Sequence, residues 1–169
     1  VDTDLISTLA NADVLQGLLG AGGSPDIVEG TSANDTLTGT PAGSISERLY
    51  GYEGDDTLDG GTGNDLLVGG AGNDTLNGGV GNDILIDGNG ADIFNGGAGN
   101  DIILLSGLNF LSINGNADFD TLVLDGIDLA LGGSSNISNI ERIDLGYDDD
   151  SNVLDISEAG ILAATGGGV

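Results

Sequence analysis

Residues 60–68 read GGTGNDLLV, residues 69–77 read GGAGNDTLN and residues 78–86 read GGVGNDILI, without a break. The period is nine, with Gly at places one, two and four, Asp at place six and an apolar residue at place eight. Aligned on the acidic place, intact or near-intact units carry Asp56, Asp65, Asp74, Asp83, Asp92 and Asp101. Two earlier units are worn. Residues 30–38, GTSANDTLT, carry Asp35, and residues 42–50 carry Glu47 where Asp is expected. Asp35 and Glu47 are twelve positions apart, so three extra residues fall near 40–43. A last worn unit, GNADFDTLV, starts at Gly115 and carries Asp120. Self-similarity at a short fixed period marks a chain built by stacking one small unit.

Nine residues are too few for a strand, a helix and two loops. They fit a six-residue turn and a three-residue strand, with two units per coil and coils stacked at the strand spacing of ~4.8 Å. Gly at places one, two and four admits positive φ and close backbone approach. With two units per coil the acidic residues divide into two columns on opposite edges. One is Asp35, Asp56, Asp74 and Asp92; the other is Glu47, Asp65, Asp83 and Asp101. Stacked like charges repel. The turns also present backbone carbonyls, and six to eight hard oxygens at roughly 2.3–2.6 Å are what Ca²⁺ takes. No turn has enough ligands alone, so each ion is expected between turns one coil apart. The plain alternative, solvated Asn-Asp-Gly turns, leaves the period unexplained.

The candidate ligands are therefore the carboxylates of Asp35, Glu47, Asp56, Asp65, Asp74, Asp83, Asp92, Asp101 and Asp120. Turn residues at place one (Gly51, Gly60, Gly69, Gly78, Gly96) and place three (Glu53, Thr62, Ala71, Val80, Asn89, Ala98) join them. Four turns per column leave three gaps on each edge, which gives about six ions, and five to eight once the worn Glu47 turn and the end of the chain are allowed for.

Composition agrees. There are 28 acidic residues against two basic ones, Arg48 and Arg142, for a net charge of −26. Such acidity often accompanies disorder, but 38% hydrophobic content argues for a fold once the charge is neutralised. Nucleic acid is excluded as a partner, since no cationic surface exists to meet phosphate. Without Cys or His the chain has no disulfide, no thiolate site and none of the usual nucleophilic triads. The Gly-rich turns lack the GK[ST] of a phosphate cradle. No apolar run reaches membrane-spanning length, and no signal peptide opens the sequence.

The repeats resemble the repeats-in-toxin (RTX) family, strongly over residues 30–104 and weakly over 115–126. The resemblance implies an all-β, right-handed parallel β-roll that folds on binding calcium. The segments GNADFDTLVLDG, NISNIERIDL and NVLDIS are similar to those that follow the repeats in large bacterial surface adhesins exported by type I secretion. That likeness implies a secreted or cell-surface location and the type I secretion apparatus as a partner. The closing TGGGV is no plausible finish for such a protein, so the chain is read as one region of a longer one.

Place eight points inward: Leu37, Leu49, Leu58, Leu67, Leu76, Leu85, Phe94 and Ile103. Places seven and nine point outward. One face is mostly polar, with Thr36, Thr57, Asp59, Thr75 and Asn77. The other is apolar, with Tyr50, Leu66, Val68, Ile84, Ile86, Ile102 and Leu104. A patch of that size is rarely left in water, so a cover from the same chain is expected. The first candidate is a helix over residues 4–19, with Leu5, Leu9, Ala12, Leu15 and Leu19 along one stripe. Three regions follow: 1–29 as helix and linker, 30–104 as the roll, 105–169 as a cap. In the cap, 106–114 is irregular, strands are expected at 121–124, 140–145 and 152–156, and Ser157 starts a short helix to Ala164. The acidic run 148–150 is no EF-hand, because Val153 stands where that loop needs Gly.

The leading expectation is a non-catalytic, calcium-dependent folding module of an exported adhesin-like protein. The alternative is the β-roll of a secreted protease or lipase whose catalytic domain lies elsewhere. Ice binding is disfavoured, because the outward turn place reads Ser32, Glu53, Thr62, Ala71, Val80, Asn89 and Ala98 and forms no Thr array.

Overall fold

The structure, a computed structural model, describes residues 27–39, 46–107, 109–124, 129–131, 136–144 and 154–156. The strands in chain order are β1 (Ile27–Glu29), β2 (Thr36–Thr38), β3 (Arg48–Glu53), β4 (Thr57–Thr62), β5 (Leu66–Ala71), β6 (Thr75–Val80), β7 (Ile84–Ile86), β8 (Asp92–Ala98), β9 (Ile102–Leu105), β10 (Phe110–Ala117), β11 (Thr121–Leu124), β12 (Leu129–Leu131), β13 (Ile137–Ser138), β14 (Arg142–Asp144) and β15 (Leu154–Ile156). Odd and even strands separate. One sheet runs β1-β3-β5-β7-β9-β11-β14, the other β13-β10-β8-β6-β4-β2, and β12 pairs with β15. The pairings are parallel, as a coil that always advances in one direction requires. The chain is an all-β parallel solenoid with two units per coil, and the described residues contain no helix. The expected helices at 4–19 and 157–164, and the acidic run 148–150, lie outside the described residues.

Most strands in the repeats are longer than the expected three residues, although β2 and β7 keep that length. β5 runs from Leu66 at place seven through Gly69 and Gly70 to Ala71, and pairs Tyr52↔Gly70 and Glu53↔Ala71 beyond the apolar triplet. Gly at place two makes this extension possible. Gly79 has φ +109, and a Cβ on it would strike the carbonyl of Gly61 in the coil before. Gly at place four, such as Gly81 at φ +136, then turns the corner. Place one does not take positive φ; its role is different and belongs to the site.

Place-eight side chains fill the space between the sheets. Leu49, Leu58, Leu67, Leu76, Leu85, Phe94 and Ile103 are fully buried and form one core cluster with Leu37. Ile113, Leu122, Leu124, Ile137 and Ile140 extend that cluster past the intact repeats. The expectation that 106–114 is irregular is therefore corrected: β10 occupies Phe110–Ala117 and pairs with β8 over most of its length. A coil needs one inward apolar residue at the right register, which Ile113 supplies opposite Phe94, and it does not need the nonapeptide pattern. Both sheets thus continue to β13 and β14. The worn unit even keeps its backbone, with Asn116 at φ 78 and Asp118 at φ 80 where intact units have Gly. Asn and Asp are the non-glycine residues that best tolerate this region.

The outward apolar face is buried too. Leu66, Ile84, Ile86 and Leu104 form a second cluster, 0–2% exposed, with Tyr50, Val68, Ile102 and Val123 packed against it. The segment expected to cover it, residues 4–19, lies outside the described residues. On the opposite sheet Thr36, Thr57 and Asp59 are exposed.

Phe94 is the largest fully buried side chain. Phe94→Ala is expected to cost about 3–5 kcal/mol in denaturant unfolding of the calcium-loaded protein. Thr57→Ala, on the exposed face, is expected to change stability by less than about 0.5 kcal/mol.

Candidate metal centre

Each edge of the roll is a stack of turns joined by its acidic residues. The backbone N–H of Asp56 donates to Oδ1 of Asp74 at 2.8 Å, and that of Asp74 to Oδ1 of Asp92 at 2.7 Å. On the other edge Glu47 donates to Asp65, Asp65 to Asp83, and Asp83 to Asp101. The two predicted columns are therefore the two observed edges, with partners 18 residues apart. At the first coil Asp35 donates to Asp56 across 21 residues, which accommodates the three extra positions.

The carboxylates are buried, yet each uses only one oxygen. Asp56, Asp65, Asp74, Asp83, Asp92, Asp101 and Asp120 are 0–2% exposed. In each, Oδ2 has no hydrogen-bond partner. Buried polar atoms are almost always satisfied, and a desolvated carboxylate oxygen facing nothing positive is costly. Asp35 stands apart: it is half-buried, and its Oδ2 accepts from the backbone and hydroxyl of Thr31 at 2.6 and 2.9 Å.

What Oδ2 faces explains Gly at place one. A Cβ on Gly78 would lie 2.5 Å from Oδ2 of Asp83 and 2.5 Å from the carbonyl oxygen of Gly96, one coil on. On Gly60 it would lie 2.7 Å from Oδ2 of Asp65 and 2.6 Å from the Gly78 carbonyl. Gly51 is flanked in the same way by Asp56 and Gly69, and Gly96 by Asp101 and Gly115. Two oxygens from successive coils thus converge on a space that only glycine leaves open. Converging lone pairs without a donor between them suit a hard cation, so the residues fit calcium. Calcium supplies positive charge and tolerates mixed carboxylate and carbonyl ligation.

The predicted place-three residues are differently placed. The carbonyls of Ala71, Val80, Asn89 and Ala98 accept from the place-four amides of Gly54, Gly63, Gly72 and Gly81. Each carbonyl retains a second lone pair. Among the described residues no group of three or more acidic side chains converges on one point. The stacking explains this, since each coil contributes one carboxylate per edge.

Two features escaped the sequence reading. Place five carries a second ladder: Oδ1 of Asn64 accepts from the amide of Asn82, and Oδ1 of Asn82 from that of Asn100, both at 2.8 Å. These bonds stitch successive turns in the opposite sense to the Asp ladder. The second feature is Asp87, which occupies place one, where other units have Gly. At Gly69, accordingly, the three nearest atoms all belong to Asp74, with no carbonyl from the next coil among them. Oδ2 of Asp87 accepts from the Ser106 amide at 3.2 Å. Burial, with the Asp92 carboxyl beside it, pushes Asp87 up to about 7.

Burial shifts several of these carboxyls. It pushes Asp74 and Asp83 up to about 6 and Asp101 up to about 7, with the bond from the preceding amide opposing in each case. Neighbouring carboxylates raise Asp74 and Asp101 further. Asp65 and Asp120 are raised by the same desolvation. A carboxyl whose pKa is raised on folding favours the fold below its unfolded pKa and loses that contribution as pH rises through its folded value. Metal-free protein is therefore expected to gain β-structure when titrated from pH 8 to pH 5, read by far-UV circular dichroism. Saturating calcium should abolish most of that dependence. Gly78→Ala, which places a methyl group between Asp83 and Gly96, should weaken calcium binding in a titration far more than Gly107→Ala, where the nearest atom to a Cβ is 3.9 Å away.

The model of the RTX calcium-binding nonapeptide repeat matches the chain in four copies, over residues 20–40, 42–76, 50–85 and 68–103. No curated protein and no solved structure is similar enough to match. Among the described residues no helix is long and apolar enough to cross a membrane. The repeats are RTX calcium-binding nonapeptide repeats, and the two-sheet solenoid they build is an RTX β-roll.

Proposed function

We propose that this chain is a calcium-dependent folding module of a protein exported by a type I system, folding only after it reaches the calcium-rich exterior. The observation that carries the reading is the set of buried, unpartnered Oδ2 atoms on both edges, each in a chain of net charge −26. Without cations those oxygens and their like-charged neighbours oppose the coil. With cations the same atoms become ligands, so binding free energy becomes folding free energy. The proposed ligands in the repeats are Oδ2 of Asp56, Asp65 and Asp83 with the carbonyls of Gly69, Gly78 and Gly96. Asp35 with Gly51, and the Asp74 and Asp92 turns beside Asp87, are the less regular positions on one edge. The place-three carbonyls, with Glu53 and Thr62 among them, complete the coordination.

An unfolded, highly charged chain suits passage through a secretion channel, and folding outside opposes return. The likeness of residues 115–126, 136–145 and 152–157 to segments that follow the repeats in bacterial surface adhesins supports an adhesin-like context at the cell surface. A secreted enzyme is the second reading, favoured by nothing in these residues beyond the repeats themselves; a zinc-protease or lipase motif in the flanking sequence would establish it.

Calcium-free protein at neutral pH is expected to be largely unfolded and to acquire β-structure near ~10⁻⁴–10⁻³ M calcium, the range of extracellular modules. Circular dichroism in EDTA and then in calcium checks this, and an unchanged β spectrum would sink it. Magnesium, with its demand for tight octahedral geometry, should substitute poorly. Asp83→Ala should raise the calcium midpoint more than Asp149→Ala.

A further inference from the structure

We infer that the calcium column containing Asp65, Asp83 and Asp101 does not end with the repeats but continues through Asp120 to a further cation site built from Asp120, Asn139 and Glu141. This rests on the calcium reading of the repeats and extends it past Asp120, in the worn unit, to Asn139 and Glu141, which no repeat unit carries; the family match stops at residue 103.

The ladder is continuous. The amide of Asp101 donates to Oδ1 of Asp120 at 2.9 Å, and the amide of Asp120 donates to Oε2 of Glu141 at 2.8 Å. Glu141 thus takes the position in the cap that Asp holds in each repeat, across a coil of 21 residues instead of 18. Asp120 is 0% exposed, and its Oδ2 has no hydrogen-bond partner. That oxygen lies over Gly115, and the carbonyl oxygen of Asn139, one coil on, points at the same place. The arrangement repeats that of Asp83, Gly78 and Gly96 with different residues. Asn139, with φ 52°, follows Ser138 in the register that pairs Ser138 with Asn114, and so stands opposite Gly115. Glu141 is exposed, so the site opens to solvent at the end of the column. Here a carboxylate oxygen and a carbonyl oxygen converge without a donor between them, and the Glu141 carboxylate on the Asp120 amide adds a second negative charge at the end of the column, which suits a hard cation.

The consequence is that calcium orders the cap as well as the repeats. β14 is tied to the site directly, since the amides of Glu141 and Arg142 both donate to the carbonyl of Asp120. The test uses the full chain with calcium itself as probe. Equilibrium dialysis counts bound ions in wild type, Asp120→Asn and Glu141→Gln, and hydrogen exchange follows the amides of 136–144 against those of 57–80. Asp120→Asn keeps an acceptor for the Asp101 amide and removes the charge. Glu141→Gln is an exposed change that leaves the core untouched should the first variant fail to fold. The expected result is about one ion fewer per chain, and protection of 136–144 shifted to several-fold higher calcium while 57–80 is unchanged. Variants that bind as many ions as wild type, with cap protection at the same calcium concentration, overturn the inference. Calcium-protected repeats beside a cap indifferent to calcium overturn it alone, whereas wild type that binds no calcium overturns the reading of the repeats with it.

Discussion

A carboxylate oxygen buried against a backbone carbonyl of the next coil is the interaction on which the rest of this structure depends. The Asp at place six fixes its Oδ1 on one amide and leaves Oδ2 beside a carbonyl, with the Cα of a glycine as the floor. Taken alone this is unfavourable, because burial and neighbouring charge both penalise the ionised form. The raised pKa values of Asp74, Asp83 and Asp101 express that penalty. A cation reverses its sign. On the proposed reading the fold is conditional, with the core supplying inward side chains and the edges deciding whether the coil closes.

Much of this was legible in the sequence. The period located the inward residues, from Leu37 to Ile103, and assigned the acidic residues to two edges, because two units per coil leave no other arrangement. The apolar face was legible for the same reason, and its burial at Leu66, Ile84, Ile86 and Leu104 follows from the cost of exposing it. What the period conceals is the length of pairing. Gly at places one and two looked like turn, but the backbone keeps its ladder through place two, so β5 and β6 run for six residues.

Other features were hidden because they break the pattern. The coils from β10 onward are held by register, by Ile113 and Ile137, which no nonapeptide marks, and by Leu122 at place eight of the worn unit. Glu141 sits in a longer coil, and only the structure reveals that its carboxylate stands below Asp120. Asp87 was visible in the alignment as a departure at place one. Its neighbourhood, in which the atoms nearest Gly69 all belong to Asp74 and no carbonyl of the next coil comes as close, shows only in the structure. The Asn residues of place five looked like ordinary turn formers and are instead a second set of stitches between coils.

The central claim, that cations hold the two edges through Oδ2 and the carbonyl of the next coil, is tested most directly by anomalous diffraction from crystals of calcium-loaded protein. The account predicts two rows of anomalous peaks, one along each edge, spaced by about one coil, ~4.8 Å. Each peak should lie between a place-six carboxylate and the carbonyl of the following coil, with a weakened or missing peak beside Asp87. The same fold with no anomalous peaks on its edges, and with water bound to Oδ2 in their place, would contradict it.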